Sequence, residues 1–181
     1  MEMKRLYVVR HCSAEGQEPD ALLTWEGRKQ AERLSDFFKD KKIDSIISSP
    51  YVRAITSIEP LAEALSLQVY DDPRLSERVL SSEPLDNWLD CLEQTFMDFK
   101  LSYDGGETSA QAMDRATQVV NEVLARDHRN VVLVTHGNLM TLLLRHFDER
   151  FGFQEWATLT NPDVYRVTVN ESETILERLW K

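Results

Sequence analysis

Two short β-branched runs constrain this chain most: Leu6-Tyr7-Val8-Val9 and Val131-Val132-Leu133-Val134. Each is an apolar run of strand length, and each closes on a histidine, through Arg10-His11 in the first case and Thr135-His136 in the second. A run of this kind reads as a buried strand that delivers its last polar side chains to its C-terminal edge. In open α/β sheets that edge is where ligands bind. Two strands that each end in His, one with an Arg beside it, point to a site for an anionic substrate.

The segments between these runs alternate helix and strand. The pattern predicts strands over 4–10, 43–48, 67–70 and 131–135. It predicts a helix over 25–40, with Thr24 as N-cap and Ala31, Leu34, Phe37 and Phe38 on its apolar face. A second helix opens at Pro50 and runs to about Leu65, with Pro60 expected to kink it. Residues 84–100 place Leu85, Trp88, Leu89, Leu92, Phe96 and Phe99 at helical spacing, and Asp104-Gly105-Gly106 ends that stretch. Helices over 108–126 and 137–146 follow, then tail strands over 164–169 and 173–180. Strand–helix alternation with right-handed crossovers implies a three-layer α/β fold, a mostly parallel sheet with helices on both faces. At 181 residues the expectation is one domain, 1–181.

The net charge of −10 argues against nucleic acid or an anionic membrane as partner, since both need a basic footprint. It leaves room for a phosphorylated substrate, because a few clustered arginines can make a local positive pocket. Apolar stretches are far shorter than the roughly 20 residues that span a bilayer. Met1-Glu2-Met3-Lys4-Arg5 lacks the apolar core of a signal peptide, and two cysteines make no disulfide framework. A cytoplasmic protein is the expectation.

Five residues are candidates for chemistry. A neutral imidazole at His11 is a good nucleophile toward phosphorus, provided its other ring nitrogen is held by a hydrogen bond. Arg10 adjoins it. Arg53 falls in the first turn of the helix after Ser48-Ser49-Pro50, where a cation is unfavourable unless an anion lies between it and the helix end. His136-Gly137 repeats the strand-to-helix design. Glu77, in Arg74-Leu75-Ser76-Glu77-Arg78, offers the proton that a leaving alkoxide needs, although that pentapeptide alone reads equally well as a surface ion pair.

As a set, these residues resemble the histidine phosphatase superfamily, the phosphoglycerate-mutase-like group. Arg10-His11-Cys12 matches the family's Arg-His-Gly motif. Leu23-Thr24 with Gly27, Gln30 and Ala31 matches its helix start, and Ser48-Ser49 with Arg53-Ala54 its phosphate helix. Leu75-Ser76-Glu77, Gly106-Glu107-Thr108 and Val134-Thr135-His136-Gly137 follow in the family's order. The resemblance implies a phosphomonoesterase in which His11 is the phosphorylated nucleophile and Glu77 the proton donor. Arg10, Arg53 and His136 then hold the phosphoryl oxygens, and the substrate is a small phosphorylated metabolite. No metal or cofactor is implied.

Two departures matter. Cys12 stands where the family motif has Gly. A cysteine-phosphatase reading would need an Arg six positions on, at residue 18, which is Glu18. Gln17 replaces a common Asn, and the loop from Ser13 to Leu22 is short and lacks the basic segment of the cofactor-dependent mutases. Hydrolysis is therefore expected over a mutase-type phosphotransfer, and over a catalytically silent phosphate-binding module. Residues 78–107 are expected to cover the pocket. Oligomeric state is not readable: the tail ending in Trp180 could pair with another chain or tuck onto a helix.

Overall fold

The computed structural model describes residues 2–181. Thirteen elements follow in chain order, and the sequence expectation holds for most of them. Strand β1 is Lys4–Arg10, helix α1 Trp25–Phe38, β2 Ser45–Ser48, α2 Val52–Leu65 and β3 Val69–Asp71. A single 3₁₀ turn, Pro73–Leu75, leads to Glu77. Helices α3, Trp88–Met97, and α4, Ser109–Ala125, precede strand β4, Asn130–Thr135. Helix α5 is Gly137–Phe147, α6 Phe153–Thr158, and the chain ends with β5, Asp163–Val169, and β6, Thr174–Arg178.

The six strands form one sheet in the order β3-β2-β4-β1-β5-β6. The first four run parallel, while β5 is antiparallel to both β1 and β6. β1 and β4 are thus central neighbours, in register Val9↔Val134 and Arg10↔Thr135. That register brings the two histidine-bearing strand ends side by side.

Alternation along β1 divides the core into two layers. Leu6 and Val8 face a cluster with Val131 and Leu133 of β4 and with Ala116, Val120, Leu139 and Leu143 of α4 and α5. Tyr7 and Val9 face the opposite cluster, with Val132 and Val134 and with Leu34, Phe38, Ile58 and Leu61 of α1 and α2. Both strands are therefore covered on both faces, which is why they read as continuous apolar runs.

Most ends shift by one or two residues, and three elements differ in more than that. Helix α2 starts at Val52, so Pro50 lies just outside it, and it passes Pro60 without ending. Helix α3 is shorter than the periodic stretch 84–100, and its stripe is divided: Leu92 and Phe96 are buried, while Trp88 and Leu89 stay exposed. The six-residue α6 was not foreseen. The Trp180 ring tucks against Phe37 of α1, with centroids 5.5 Å apart.

Candidate active site

Leaving β1, the backbone keeps its pairing for one more residue: His11 N–H donates to the Thr135 carbonyl at 3.1 Å. Two contacts define the ring of His11. Nδ1 lies 2.7 Å from the Cys12 carbonyl, which can only accept, so Nδ1 carries the proton. Nε2 then holds the lone pair, and Arg53 Nε donates to it at 3.2 Å. Both constraints give the same tautomer, with the Nε2 lone pair directed at a guanidinium. Burial, with Arg53 and Arg10 adding like charge, pushes the imidazole pKa down to about 3. Its surroundings therefore favour the neutral ring.

Arg53 is 1% exposed, although it carries a full charge. Its Nη1 donates to the carbonyls of Gln17 and Glu18, at 3.0 and 2.8 Å. These bonds fold the loop after β1 over the site. No carboxylate pairs with Arg53 by direct contact among the described residues, and none pairs with Arg10. Arg10 Nη1 reaches the Leu159 carbonyl at 3.3 Å, and its Nε is buried without a partner. A buried donor left open is costly unless something fills it. Gly137 makes room for this side chain: a Cβ there would press on the Arg10 guanidinium at 3.1 Å.

His136 caps the start of α5, fully buried, with its ring 5.1 Å from that of His11. Its Nε2 lies 2.8 Å from Ser49 Oγ, and its Nδ1 has no partner. Burial, then the closeness of the His11 ring and of the Arg53 and Arg10 guanidinium groups, hold its pKa well below the usual imidazole value. Glu77 is placed by α5 as well. Oε1 accepts from Leu139 N–H at 2.9 Å and Arg78 N–H at 2.7 Å, and Oε2 accepts from Asn138 N–H at 3.1 Å. The helix N-terminus after His136 thus holds a carboxylate, which lines one pocket with Arg10, His11, Ser13, Gln17, Gly137 and Asn161. All five predicted site residues come together here, since Arg53 and His136 both touch His11.

Two motifs act at one remove. Thr24 Oγ1 accepts from Gly27 N–H, and Gln30 Oε1 accepts from Ser13 N–H at 2.8 Å. A Cβ at Gly27 would sit 2.1 Å from the Ser13 carbonyl, so only glycine lets α1 approach the loop after β1 this closely. Glu107 pairs with Arg115, whose guanidinium donates to the carbonyls of Arg74, Ser76 and Glu77. The Gly106-Glu107-Thr108 segment therefore sets the position of Glu77.

Cys12 turns away from the pocket into the layer formed by α1 and α2, fully buried beside Val9 and Leu34. Burial raises its thiol pKa to about 11, so the positive pocket does not favour a thiolate. Its N–H donates to Ser57 Oγ, which donates to the Arg53 carbonyl. Cys12→Ser is expected to keep nearly full activity while lowering stability by about 1–3 kcal/mol, because it buries a hydroxyl among apolar groups. A melting curve and an assay with a phosphomonoester check both; a large activity loss in a folded variant would contradict this placement.

Residues missed from sequence include Asn161, whose Nδ2 donates to the His11 carbonyl at 3.0 Å, and Asn138, whose Oδ1 is buried without a partner. Asn161 lies in the loop between α6 and β5, just ahead of the strand that returns antiparallel, and no local sequence pattern marks that loop. Asn138 follows Gly137 directly and was within reach of the motif.

The buried imidazoles also fix a pH dependence. Unfolded, His11 and His136 titrate near 6.5; folded, His11 titrates at about 3 and His136 well below 6.5. In that window the unfolded chain binds more protons, so stability rises with pH from about 3 to 6.5 and is lost as pH falls through it. The urea midpoint is expected to drop between about pH 7 and pH 4, and to drop less in His11→Asn. A midpoint that rises in acid would contradict the buried neutral state.

Two neutral imidazoles and two arginines, one of them in the first turn of α2, thus gather beyond the ends of adjacent parallel strands. The chain belongs to the histidine phosphatase superfamily (branch 1), whose family model matches residues 6–180. Among curated relatives, phosphoserine phosphatase 1 of Hydrogenobacter thermophilus is 28% identical over 152 residues, covering 74% of this chain and 71% of that protein. A Proteus mirabilis protein named "Probable phosphoglycerate mutase GpmB" is 29% identical over 160 residues, covering 78% and 74%. The solved mycobacterial glucosyl-3-phosphoglycerate phosphatase superposes with a TM-score of 0.78 at 24% identity, over 97% of this chain and 96% of its own. That likeness shows the shared fold. No described helix is long and apolar enough to cross a membrane.

Proposed function

We propose that this chain is a phosphomonoester hydrolase, a metal-independent histidine phosphatase of the acid type, working through a phosphohistidine on His11. The observation that carries this reading is the His11 ring, with Nδ1–H pinned to the Cys12 carbonyl and the Nε2 lone pair facing Arg53. Nε2 attacks phosphorus, and the P–O bond to the alcohol breaks. Arg10, Arg53 and His136 stabilise charge on the phosphoryl oxygens in the transition state. Glu77 gives its proton to the departing alkoxide. The same carboxylate then takes a proton from water as water attacks phosphorus, the P–N bond breaks, and inorganic phosphate leaves.

Hydrolysis is favoured over phosphotransfer between positions of one substrate. The site offers Arg10 and Arg53 as its phosphate cations, and the pocket that contains His11 is lined by no further Lys or Arg. A bisphosphorylated intermediate needs more positive charge than that to be retained. The test is inorganic phosphate release from p-nitrophenyl phosphate and from 3-phosphoglycerate, in chelator, beside coupled detection of 2-phosphoglycerate. Phosphate release without isomerisation is expected. Isomerisation outpacing release would establish the mutase, and no turnover of any ester would establish a silent binding module.

A further inference from the structure

A cavity of about 420 Å³ opens beside the reaction pocket and shares Arg10, Gln17 and Glu77 with it. Its remaining wall is Arg78, Leu80, Trp88, Leu92, Asn138 and Trp156. This is where the alcohol part of an ester attached at the phosphoryl centre must lie. Its size suits a one- or two-ring group.

The Arg78 guanidinium is tied down by neutral acceptors. The residue is 5% exposed, and its guanidinium is engaged on every nitrogen. Nε and Nη2 donate to the Glu107 carbonyl at 3.2 and 2.8 Å, and Nη1 donates to Ser109 Oγ at 3.1 Å and Thr95 Oγ1 at 3.4 Å. Arg10 is the other cation of the wall, and the phosphoryl group itself takes it. A carboxylate or second phosphate on the alcohol would have to draw Arg78 away from these neutral acceptors to gain a hydrogen-bonded counterion, and it would lie next to Glu77. Burying such a charge without a hydrogen-bonded partner is unfavourable.

The apolar side of the cavity is built for a ring. Trp156 is braced by stacking on Phe153, with centroids 5.5 Å apart and planes 24° apart. Phe153 in turn packs on buried Phe96. Trp88 meets Trp156 edge to face at 6.3 Å and 82°, yet remains 51% exposed. A half-exposed indole beside a fixed one is surface that a bound ring can cover. Asn138 Oδ1, buried and unpartnered, supplies one acceptor for a hydroxyl.

We propose that this cavity selects phosphomonoesters of uncharged, ring-bearing alcohols, with Trp88 and Trp156 as the specificity-determining residues. The proposal rests on the hydrolase reading above. It sets this chain apart from an enzyme acting on phosphoserine, whose leaving group carries a carboxylate.

The test uses three alkyl esters, so that leaving-group chemistry stays comparable: 2-phenylethyl phosphate, propyl phosphate and phosphoserine. The wild type is expected to favour the phenylethyl ester over propyl phosphate by about tenfold in kcat/KM, mainly through KM, and to use phosphoserine least. Trp88→Ala should bring the phenylethyl-to-propyl ratio close to one, and Trp88→Phe should restore most of it. Phosphoserine as the best ester would overturn the proposal, as would equal use of the two uncharged esters. So would a Trp88→Ala variant that retains the wild-type ratio. In those three outcomes the hydrolase stands. Release from none of the esters would overturn the hydrolase reading and the substrate class together.

Discussion

His11→Ala is expected to lower phosphate release by about ten-thousand-fold or more while the protein stays folded, since removing a nucleophile removes the route and not one contact along it. The ring is 6% exposed and its bonds go to Cys12 and Arg53. Truncation therefore leaves a small polar void that water can enter from the adjoining pocket. The backbone bonds that hold residue 11, to the Thr135 carbonyl and from Asn161, do not depend on the side chain. Binding of inorganic phosphate should survive in part through Arg10, Arg53 and His136. A folded His11→Ala protein with even a tenth of wild-type turnover would show that another group attacks phosphorus. Cys12 is no substitute: it is buried in the layer under α1 and α2, outside the pocket that His11 lines, and its thiol is held protonated.

Arg53→Ala carries the second-largest expectation, a loss of about a hundred- to a thousandfold in kcat. Three roles meet in this side chain. It faces the attacking Nε2 and so meets an incoming phosphoryl oxygen. It holds the loop carbonyls of Gln17 and Glu18, and it stacks near Tyr51 at 5.0 Å. Losing it leaves two carbonyls without their donor, at a cost of about 1–3 kcal/mol of stability. Affinity for vanadate, which resembles the transition state, should fall more than affinity for phosphate, because the arginine matters most where charge develops. Lys at position 53 should recover little, since an ammonium cannot serve His11 and the two carbonyls with one planar fork. Equal losses for vanadate and phosphate would recast Arg53 as a simple binding residue.

How much was legible follows from where each residue gets its partners. The two central strands are covered on both faces, so their runs are continuously apolar and their ends are sharp. His11 and His136 were readable because they stand at those ends. Arg53 was readable because a cation in the first turn of a helix is out of place without an anion. Glu77 was different. Its pentapeptide looked like a surface ion pair, and only tertiary structure brings it onto the N–H groups of α5. Helix α6 has six residues and none of them buried, too short a window for a periodic signal. Direction in β5 was invisible because side-chain alternation is the same for parallel and antiparallel strands, so the loop that enters it, with Asn161, was not placed beside His11. The stripe over 84–100 was read as one apolar face. In the fold its middle, Leu92 and Phe96, belongs to the core, while Trp88 lines the cavity beside the reaction centre.

The central claim is that the phosphoryl group passes through His11. Glu77→Gln allows a direct test with p-nitrophenyl phosphate, whose leaving group needs no proton. The first step then proceeds, while hydrolysis of the intermediate, which needs the carboxylate as base, is slowed. Rapid quenching at alkaline pH followed by peptide mass spectrometry should find one phosphate per chain on His11, stable in base and lost in acid. A burst of p-nitrophenol with no phosphate on His11, or with phosphate on any other residue, would contradict it.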